Sequence, residues 1–468
     1  MSSAIVVGSG PNGLACAAIL AKRGVEVTVI EAEERLGGGT RSSELTVPGL
    51  LHDECSATHP MAVSAPATIE LELDRHGLEW AWPEVDLAHP LDGGGASFLR
   101  SIEATVAGLG EAGPRWRRIF GPPAKGYDAL TEDIYHPLPH LPRHPLRLAR
   151  FGLPAAAPAT LLARALGTPE AAALFGGVAA HAFAPLNRPL SSSIGMALIC
   201  SGHAYGWPVA KGGSIAIADA LASVIGANGG RIETGRRVRS LAELPPADAV
   251  VLDLAPREVL ALAGDRMPPR SARAYRRYKH GPGAFTLDLA VEGGVPWTYA
   301  PARRAGTVHV AGSFEELAVA EREINRGRMP ERPFILVGQQ YLADPQRSNG
   351  DLHPVWAYAH VPNGYSADAA SVILDQVERF APNFRDRIVA TSVRTPAQIE
   401  AANANFSGGD ILTGANTPLQ LLARLRLSPV PYWTGIPGVF ICSAATPPGA
   451  GAHGINGFNA AEAVLRTL

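Results

Sequence analysis

The N-terminal residues of this chain follow the order strand, glycine turn, helix, strand and acid. An apolar run, Ala4 to Val7, leads directly into Gly8-Ser9-Gly10-Pro11-Asn12-Gly13. A helix-like stretch from Leu14 to Lys22 follows, and a second apolar run from Val25 to Ile30 ends at Glu31. This order and spacing are those of the Rossmann dinucleotide-binding fingerprint. We therefore expect the turn to approach a diphosphate at a helix N-terminus and Glu31 to accept hydrogen bonds from a ribose diol.

The same glycine spacing occurs twice more, in contexts that do not predict a nucleotide site. An apolar run from Val439 to Cys442 precedes a glycine-rich turn, Gly449 to Gly454, and a helical tail up to Leu468. That tail does not supply the second strand and acid of a complete fingerprint. The third match, Gly108 to Gly113, follows a helical pattern and precedes a proline, so we interpret it as accidental.

Bulk properties narrow the class of protein. A chain of 468 residues favours two domains over one core. A net charge of −2 gives no reason to expect nucleic acid as a partner. The four cysteines have no metal-binding spacing, and we expect no metal. No uncharged apolar run is long enough to cross a bilayer, and no signal peptide fits ahead of a strand at Ala4, so we expect a cytoplasmic protein.

A second glycine-rich loop follows Glu31 closely. It reads Arg35-Leu36-Gly37-Gly38-Gly39-Thr40-Arg41-Ser42. A glycine triplet flanked by arginines can bring backbone N–H groups and a cation to the same diphosphate. A Rossmann unit for NAD does not require such a loop, so its presence favours a flavin dinucleotide.

The middle of the chain predicts a helical layer. His136, His140 and His144 are four residues apart, but the prolines between them exclude the helix that would make them one metal-binding face. Leu161 to Phe183 is apolar and alanine-rich, broken by polar residues and a proline. It predicts a helical cap with an apolar groove, and shallow contact with a membrane surface stays open.

We expect an α/β protein with a Rossmann-like FAD-binding domain of the GR2 type, interleaved with a mixed α+β substrate domain. The FAD-binding domain would comprise residues 1–70, 205–262 and 412–468, and the substrate domain residues 71–204 and 263–411. A strand is predicted from Arg231 to Val238. On another predicted strand, Trp356, Tyr358 and His360 alternate, so their side chains share one face. This face is either a wall of the substrate site or a surface that packs against a helix.

Taken together, these segments resemble the phytoene-desaturase-like group of FAD-dependent oxidoreductases, which is related to carotenoid isomerases and more distantly to flavin amine oxidases. The matching segments are Val6 to Leu14, Arg35 to Ser42, Cys55 to Pro60, Pro282 to Phe285, Trp356 to Pro362 and Cys442 to Ala461. They extend over nearly the whole chain.

The resemblance implies non-covalent FAD, with Val238 meeting the adenine through its backbone and the turn from Gly449 to Asn456 lying under the isoalloxazine. A helix starting near Ile455 would then direct its N–H groups at the flavin edge where charge accumulates on reduction. The predicted cofactor-binding residues are Gly8, Ser9, Gly10, Pro11, Asn12, Gly13, Glu31, Ala32, Arg35, Gly37, Gly38, Thr40, Arg41, Val238, Ser443, Ala444, Gly454, Ile455 and Asn456. Candidate catalytic residues are His453, His360 and Tyr358.

Three functions fit these features. The first is hydride abstraction from a C–H bond of an at least partly apolar small molecule, giving a desaturated or oxidised product. The second is redox-neutral isomerisation of a double bond with flavin bound. The third is a non-enzymatic binder that keeps the fold. Since no second complete fingerprint is visible, oxygen or a quinone is favoured over NADP as electron acceptor.

Overall fold

The computed structural model describes residues 2–468. Its strands are β1 (Ser3–Val7), β2 (Glu26–Ile30), β3 (Ser42–Ser43), β4 (His52–Asp53), β5 (Trp80–Ala81), β6 (Val85–Leu91), β7 (Gly94–Phe98), β8 (Val209–Ala210), β9 (Arg231–Glu233), β10 (Ala249–Leu252), β11 (Gly283–Glu292), β12 (Ala305–Val310), β13 (Ile335–Gly338), β14 (Leu352–Val361), β15 (Ile388–Arg394) and β16 (Val439–Ile441).

The α-helices connect and cover these strands. They are α1 (Pro11–Lys22), α2 (Pro66–Glu70), α3 (Ile102–Gly108), α4 (Gly113–Lys125), α5 (Tyr127–Ile134), α6 (Pro145–Ala156), α7 (Ala159–Leu166), α8 (Pro169–Ala179), α9 (Ser193–Tyr205), α10 (Ile215–Ala227), α11 (Pro256–Ala263), α12 (Pro269–Arg277), α13 (Phe314–Ile324), α14 (Ala370–Glu378), α15 (Pro396–Ala402), α16 (Pro418–Leu422) and α17 (Ile455–Leu465).

One sheet is parallel throughout, with the strand order β16-β10-β1-β2-β9. Its central strands are apolar at nearly every position because helices cover both faces of a parallel sheet. Helix α1 packs against α10 and α17. In the register, Val7 is opposite both Ile30 and Leu252, so three strands end at the same edge of the sheet.

The other large sheet is mixed, with the order β15-β11-β14-β13-β12-β6-β7. Strands β6 and β12 are parallel, and the other described pairs are antiparallel. Helices α8 and α13 cover part of this sheet, and their buried side chains join those of α4 and α9 in one large core. All strands of the parallel sheet come from residues 3–7, 26–30, 231–252 and 439–441, and those of the mixed sheet from residues 85–98 and 283–394.

The predicted fold class, a Rossmann-like domain combined with a mixed α/β substrate domain, is confirmed. The predicted strand from Arg231 to Val238 is wrong in length, since β9 ends at Glu233. There the backbone turns at Gly235, which has a φ of 70° and donates its N–H to the Glu33 carbonyl. The stretch from Leu161 to Phe183 forms helices α7 and α8 as predicted, and most of it is buried. Among residues 2–468, no helix is both long and apolar enough to cross a membrane.

Candidate cofactor site

The site begins where three neighbouring strands of the parallel sheet end together. Gly8 follows β1, Glu31 follows β2 and Asp253 follows β10. In open α/β sheets, ligands bind in the crevice outside these carboxyl ends. The sequence predicted Gly8 and Glu31 at this edge but missed Asp253, although an acid directly after the apolar run from Ala249 to Leu252 was the available signal.

The glycine turn closes tightly around Asp253. A Cβ atom at Gly10 would lie 2.5 Å from the Asp253 Oδ2 atom, and one at Gly13 would lie 2.2 Å from the Gly8 carbonyl oxygen. No side chain fits at either position. Gly13 donates its backbone N–H to Asp253 Oδ2 at 3.0 Å. This turn therefore requires glycine at both positions. At Gly10 the reason is the Asp253 side chain, and at Gly13 it is the backbone of the turn itself.

The Asp253 carboxyl is buried beside a second carboxyl group. Burial, opposed by the Gly13 and Gly10 N–H groups and increased by nearby Glu31, raises its pKa to about 7. The loop from Asn403 to Asn405 covers it, since Asn405 donates to the Asp253 carbonyl at 3.2 Å and accepts from Ala255 at 2.7 Å. No local pattern predicts the position of this loop, because more than 140 residues separate it from Asp253.

Glu31 is buried at the tip of β2, as the fingerprint predicts. Its Oε2 atom accepts hydrogen bonds from the Ser9 N–H at 2.8 Å and the Ser9 hydroxyl at 2.6 Å, and Oε1 accepts from Glu33 at 2.9 Å. A carboxylate offers about four lone-pair positions, so acceptor capacity is left on Oε1. Glu31 is thus fixed in position and can still accept from a hydroxyl group.

The second glycine loop is bonded directly to the first. Gly37 donates to the Ser9 carbonyl at 3.0 Å, and a Cβ at Gly38 would lie 3.0 Å from the Gly10 Cα atom. Thr40 is fully buried and donates its hydroxyl to the Gly37 carbonyl. The two flanking arginines differ: Arg41 lies in the cleft described next, whereas Arg35 bonds Ser42 and Ser43 away from it.

A cleft of about 320 Å³ runs along these loops. Its walls include Gly8, Ser9, Gly10, Glu31, Ala32, Glu33, Gly38, Arg41, Arg236, Arg237, Val238, Asp253 and Asn403. Val238 also lines the cleft, and within the described residues its backbone N–H and C=O form no hydrogen bond. Pro11, Asn12 and Gly13 lie behind this wall, in the first turn of α1.

A second cavity of about 30 Å³ adjoins the cleft, since Gly38 and Arg41 line both. Its other walls include Cys55, Thr286, Trp356, Arg394, Ile399, Phe406 and Ile411. Four buried polar atoms on these walls have no partner in the described chain: Arg41 Nε, Thr286 Oγ1, Trp356 Nε1 and Arg394 Nε. All four can donate a hydrogen bond, so the cavity suits a ligand group that accepts them.

Arg394 and Thr286 were missed by the sequence interpretation. They are opposite each other in the register of β15 and β11. Arg394 donates a hydrogen bond to the Asp288 carboxyl group at 3.1 Å. Burial raises the pKa of this carboxyl group to about 7. Burial also raises the pKa of the Cys55 thiol to about 12, so this side chain is a neutral thiol at physiological pH. The pairing of β11 with β15 brings Thr286 and Arg394 to the same cavity. No local sequence pattern predicts this pairing.

The C-terminal turn lies beside α1. Gly454, with a φ of 66°, precedes α17, and its missing Cβ would lie 2.9 Å from the Ala15 Cβ atom. Asn456 donates to the Thr446 carbonyl at 2.7 Å and the Ser443 carbonyl at 3.3 Å, while the Ala444 carbonyl accepts from Arg424. Ser443, Ala444, Gly454, Ile455 and Asn456 line neither the cleft nor the second cavity. Their contact with an isoalloxazine stays a prediction.

The three candidate catalytic residues also lie outside both cavities. His453 is buried, which lowers its pKa to about 4, and its Nδ1 atom accepts the Ile455 N–H at 3.1 Å. His360 is fully buried, with Nδ1 2.6 Å from the Glu321 Oε1 atom and its ring stacked on Phe183. Tyr358 is buried 4.9 Å from the Trp356 ring, measured between centroids.

The alternating side chains on this face of β14 have two different surroundings, a cavity for one of them and the helical layer for the other two. Trp356 lines the second cavity, whereas Tyr358 and His360 pack against Phe183 of the helical layer. Their assignment as catalytic residues stays a prediction.

Comparison with known proteins agrees with this architecture. Residues 6–68 match the family model described as an NAD(P)-binding Rossmann-like domain. The rat (Rattus norvegicus) pyridine nucleotide-disulfide oxidoreductase domain-containing protein 2 is 24% identical, over 99% of this chain and 93% of that protein. A hydroxyneurosporene desaturase of Cereibacter sphaeroides is 26% identical, over 99% of this chain and 97% of its own.

Solved structures share the fold over the full length. An oxidoreductase from Methanosarcina mazei superimposes with a TM-score of 0.63 at 15% identity, covering 99% of this chain and 100% of the other. A putrescine oxidase variant gives a TM-score of 0.62 at 17% identity, covering 99% of each chain. These superpositions show that the chain shares its overall fold with both proteins.

Proposed function

We propose that this protein is an FAD-dependent oxidoreductase that takes a hydride from a C–H bond of an at least partly apolar small molecule. The observation that carries the proposal is the cleft along two mutually bonded glycine loops, which Glu31, Val238 and Arg41 line and which adjoins the small cavity at Trp356 and Arg394. An extended dinucleotide suits a cleft lined by an acid, a free backbone edge and an arginine.

The residues present fit the adenosine and diphosphate parts of FAD. Glu31 accepts from the ribose hydroxyls, and Val238 offers a free backbone edge to the adenine. Gly10 and Gly38 line the cleft with backbone atoms alone, which a diphosphate can approach, and Arg41 supplies positive charge with a buried Nε–H that lacks a partner. In non-covalent binding of this kind, the protein contributes position and electrostatics.

Bound flavin would supply the two-electron oxidation. The side chains around the second cavity would contact one end of the reacting molecule: Trp356, Phe406, Ile399 and Ile411 would exclude water there, and Arg394 and Thr286 would orient an acceptor atom. This mixture of apolar walls and a few donors favours a substrate that is apolar over most of its surface. Oxygen or a quinone as electron acceptor belongs to the same proposal, as do His453, His360 and Tyr358 as candidate bases.

The first test identifies the cofactor. We expect the purified protein to be yellow and, on denaturation, to release a compound with the mass of FAD. Candidate lipids and polyenes are then mixed anaerobically with the protein. Bleaching of the flavin spectrum by substrate alone supports oxidation, while turnover that needs prereduced flavin supports isomerisation. A colourless protein that does not take up added FAD contradicts the proposal and favours a non-enzymatic binder.

A second prediction concerns Asp253 and pH. A diphosphate beside Asp253 disfavours its carboxylate, so FAD binding takes up a proton when the pH exceeds the free-protein pKa of about 7. Affinity for FAD should therefore be constant below pH 7 and fall above it, by up to about tenfold per pH unit. Asp253→Asn keeps an acceptor for the Gly13 N–H, and we expect it to bind FAD with no such pH dependence.

Isothermal calorimetry of apoprotein with FAD, in buffers of different ionisation enthalpy, measures both the affinity and the proton uptake. The matched control is Glu258→Gln, which removes one negative charge from the same cleft without touching the glycine turn. It should keep the pH dependence. An identical pH profile for Asp253→Asn and the unaltered protein would refute the role given to Asp253.

A further inference from the structure

Exposed apolar side chains concentrate in one short part of the helical layer. Leu138, Leu141, Leu146 and Leu153 are 51%, 93%, 79% and 78% exposed. These four lie within residues 138–153, yet they make up a quarter of the 16 large apolar residues that are exposed in the described chain. Scattered single leucines on a surface are ordinary, whereas a dense group marks an interaction surface.

Helix α6 presents two of these leucines, Leu146 and Leu153, although it is firmly packed. Its inner face buries Phe151 and Ala155, and Leu148 is partly buried against the same core. Leu146, Arg150 and Leu153 are spaced by four and three residues, so they share the outer face. The exposure of the two leucines therefore follows from how the helix is oriented and does not come from a loosely attached segment.

The charges on the same stretch are of one sign. Residues 138–161 contain Arg143, Arg147 and Arg150 and no aspartate or glutamate, in a chain whose net charge is −2. Arg143 pairs with Glu132 of α5 at 3.1 Å. In the described residues, Arg147 and Arg150 form no salt bridge. The exposed leucines and the two unpaired arginines thus lie on the same segment, and we call their surface the leucine–arginine surface (Leu141, Leu146, Leu153, Arg147, Arg150).

We propose that the leucine–arginine surface binds the surface of an anionic lipid bilayer, with α6 lying in the plane of the interface. Apolar side chains beside arginines are what an interfacial helix needs: the leucines enter the acyl boundary and the guanidinium groups meet lipid phosphates. A protein partner of the same size would require acidic groups opposite the arginines, whereas an anionic bilayer supplies them everywhere.

This site differs from the one that the sequence favoured for membrane contact. The apolar stretch from Leu161 to Phe183 is the more hydrophobic of the two, but it forms the buried core of the helical layer. Another dense group of exposed apolar residues, Leu419 to Trp433, lies on the five-residue helix α16 and irregular chain, without a continuous helical face. Binding of this surface to a membrane does not depend on the proposed oxidation. It would place that reaction at a membrane surface.

The experiment is co-flotation of the full-length protein with vesicles of phosphatidylcholine, with and without phosphatidylglycerol. We expect binding to the anionic vesicles, weakened by added salt. Leu146→Ser/Leu153→Ser should lower the partition coefficient by about tenfold or more, since each leucine loses its apolar burial. Arg147→Gln/Arg150→Gln should lower it by about fivefold per arginine on anionic vesicles alone.

The control is Ile69→Ser/Val319→Ser, which removes two exposed apolar side chains elsewhere and should leave the partition unchanged. Circular dichroism and melting temperatures check that each variant is folded. The proposal is overturned if the unaltered protein does not float with anionic vesicles, or if the control loses as much binding as the leucine variant. It is also overturned if sedimentation shows a dimer that Leu146→Ser/Leu153→Ser dissociates, because a second copy then covers this face.

Discussion

Replacing Arg347 by methionine is expected to lower the free energy of unfolding by about 3 to 5 kcal/mol. Arg347 is 1% exposed and donates to Asp53 Oδ2 at 2.5 Å, to Asp344 Oδ2 at 3.1 Å and to the Ala210 carbonyl at 2.6 Å. Methionine is close in volume but removes the charge and all three donors. Two buried carboxylates are then left without a counterion, which is the costly way to break a buried ion pair.

The loss should also loosen the second glycine loop. Asp53 Oδ1 accepts from the Ser42 hydroxyl and from the Ser214 N–H at the start of α10, both at 2.7 Å. Ser42 directly follows Arg41, so the ion pair supports a residue of the proposed cofactor cleft. We therefore expect weaker retention of FAD as well as lower stability.

Urea denaturation of the two proteins measures this effect. The matched control is Arg304→Met, which removes an arginine paired with Glu84 on the surface, where the side chains are 54% and 63% exposed. Such pairs contribute about 1 kcal/mol or less. Similar losses in both variants would mean that the buried network does not hold the structure as described.

Gly457→Ala is the second change with a large expected effect, a destabilisation of about 3 kcal/mol or more. Gly457 lies in the first turn of α17, where a Cβ would be 1.9 Å from the Asn12 carbonyl oxygen and 2.9 Å from the Cys16 nitrogen. Backbone atoms of α1 cannot yield as a flexible side chain would. The two helices must separate, and α1 carries the glycine turn at its N-terminus.

Gly226→Ala is the control for this prediction, since it places the same methyl group in the last turn of another helix. Gly226 is exposed in α10, and no heavy atom lies within 4 Å of the added Cβ. There the substitution should stabilise the protein by about 0.5 to 1 kcal/mol through helix propensity. Thermal melts of both variants with FAD bound give the comparison, and a stable Gly457→Ala protein would contradict the close packing of α1 and α17.

Much of the first nucleotide-binding unit could be predicted because its information is local. The apolar runs, the glycine turn and Glu31 lie within one short stretch, and each strand or helix there is set by the periodicity of its own residues. The same holds for α7, α8 and the start of α17. Where the prediction erred, at the length of β9, the backbone of Gly235 and Arg236 bonds to residues near Glu31 instead of extending the sheet.

The second half of the site depends on contacts between distant residues. Asn405 bonds Asp253 across 152 positions, Arg394 reaches Asp288 across 106, and Arg347 reaches Asp53 across 294. None of these pairs shares a helix face or a strand alternation, so no spacing in the sequence reports them. The buried positions of His360 and His453 likewise depend on packing between segments, and their roles as catalytic candidates stay predictions.

The sequence by itself determined that this chain builds a Rossmann-type turn, with an acid at the second strand and a second glycine loop beside it, since neighbouring residues specify local backbone conformation. Only the tertiary structure decided which side chains surround the space beyond that turn, which carboxylates are buried in pairs with arginine, and which apolar helix faces stay exposed. Those outcomes depend on which surfaces pack together, and packing is a property of the whole folded chain.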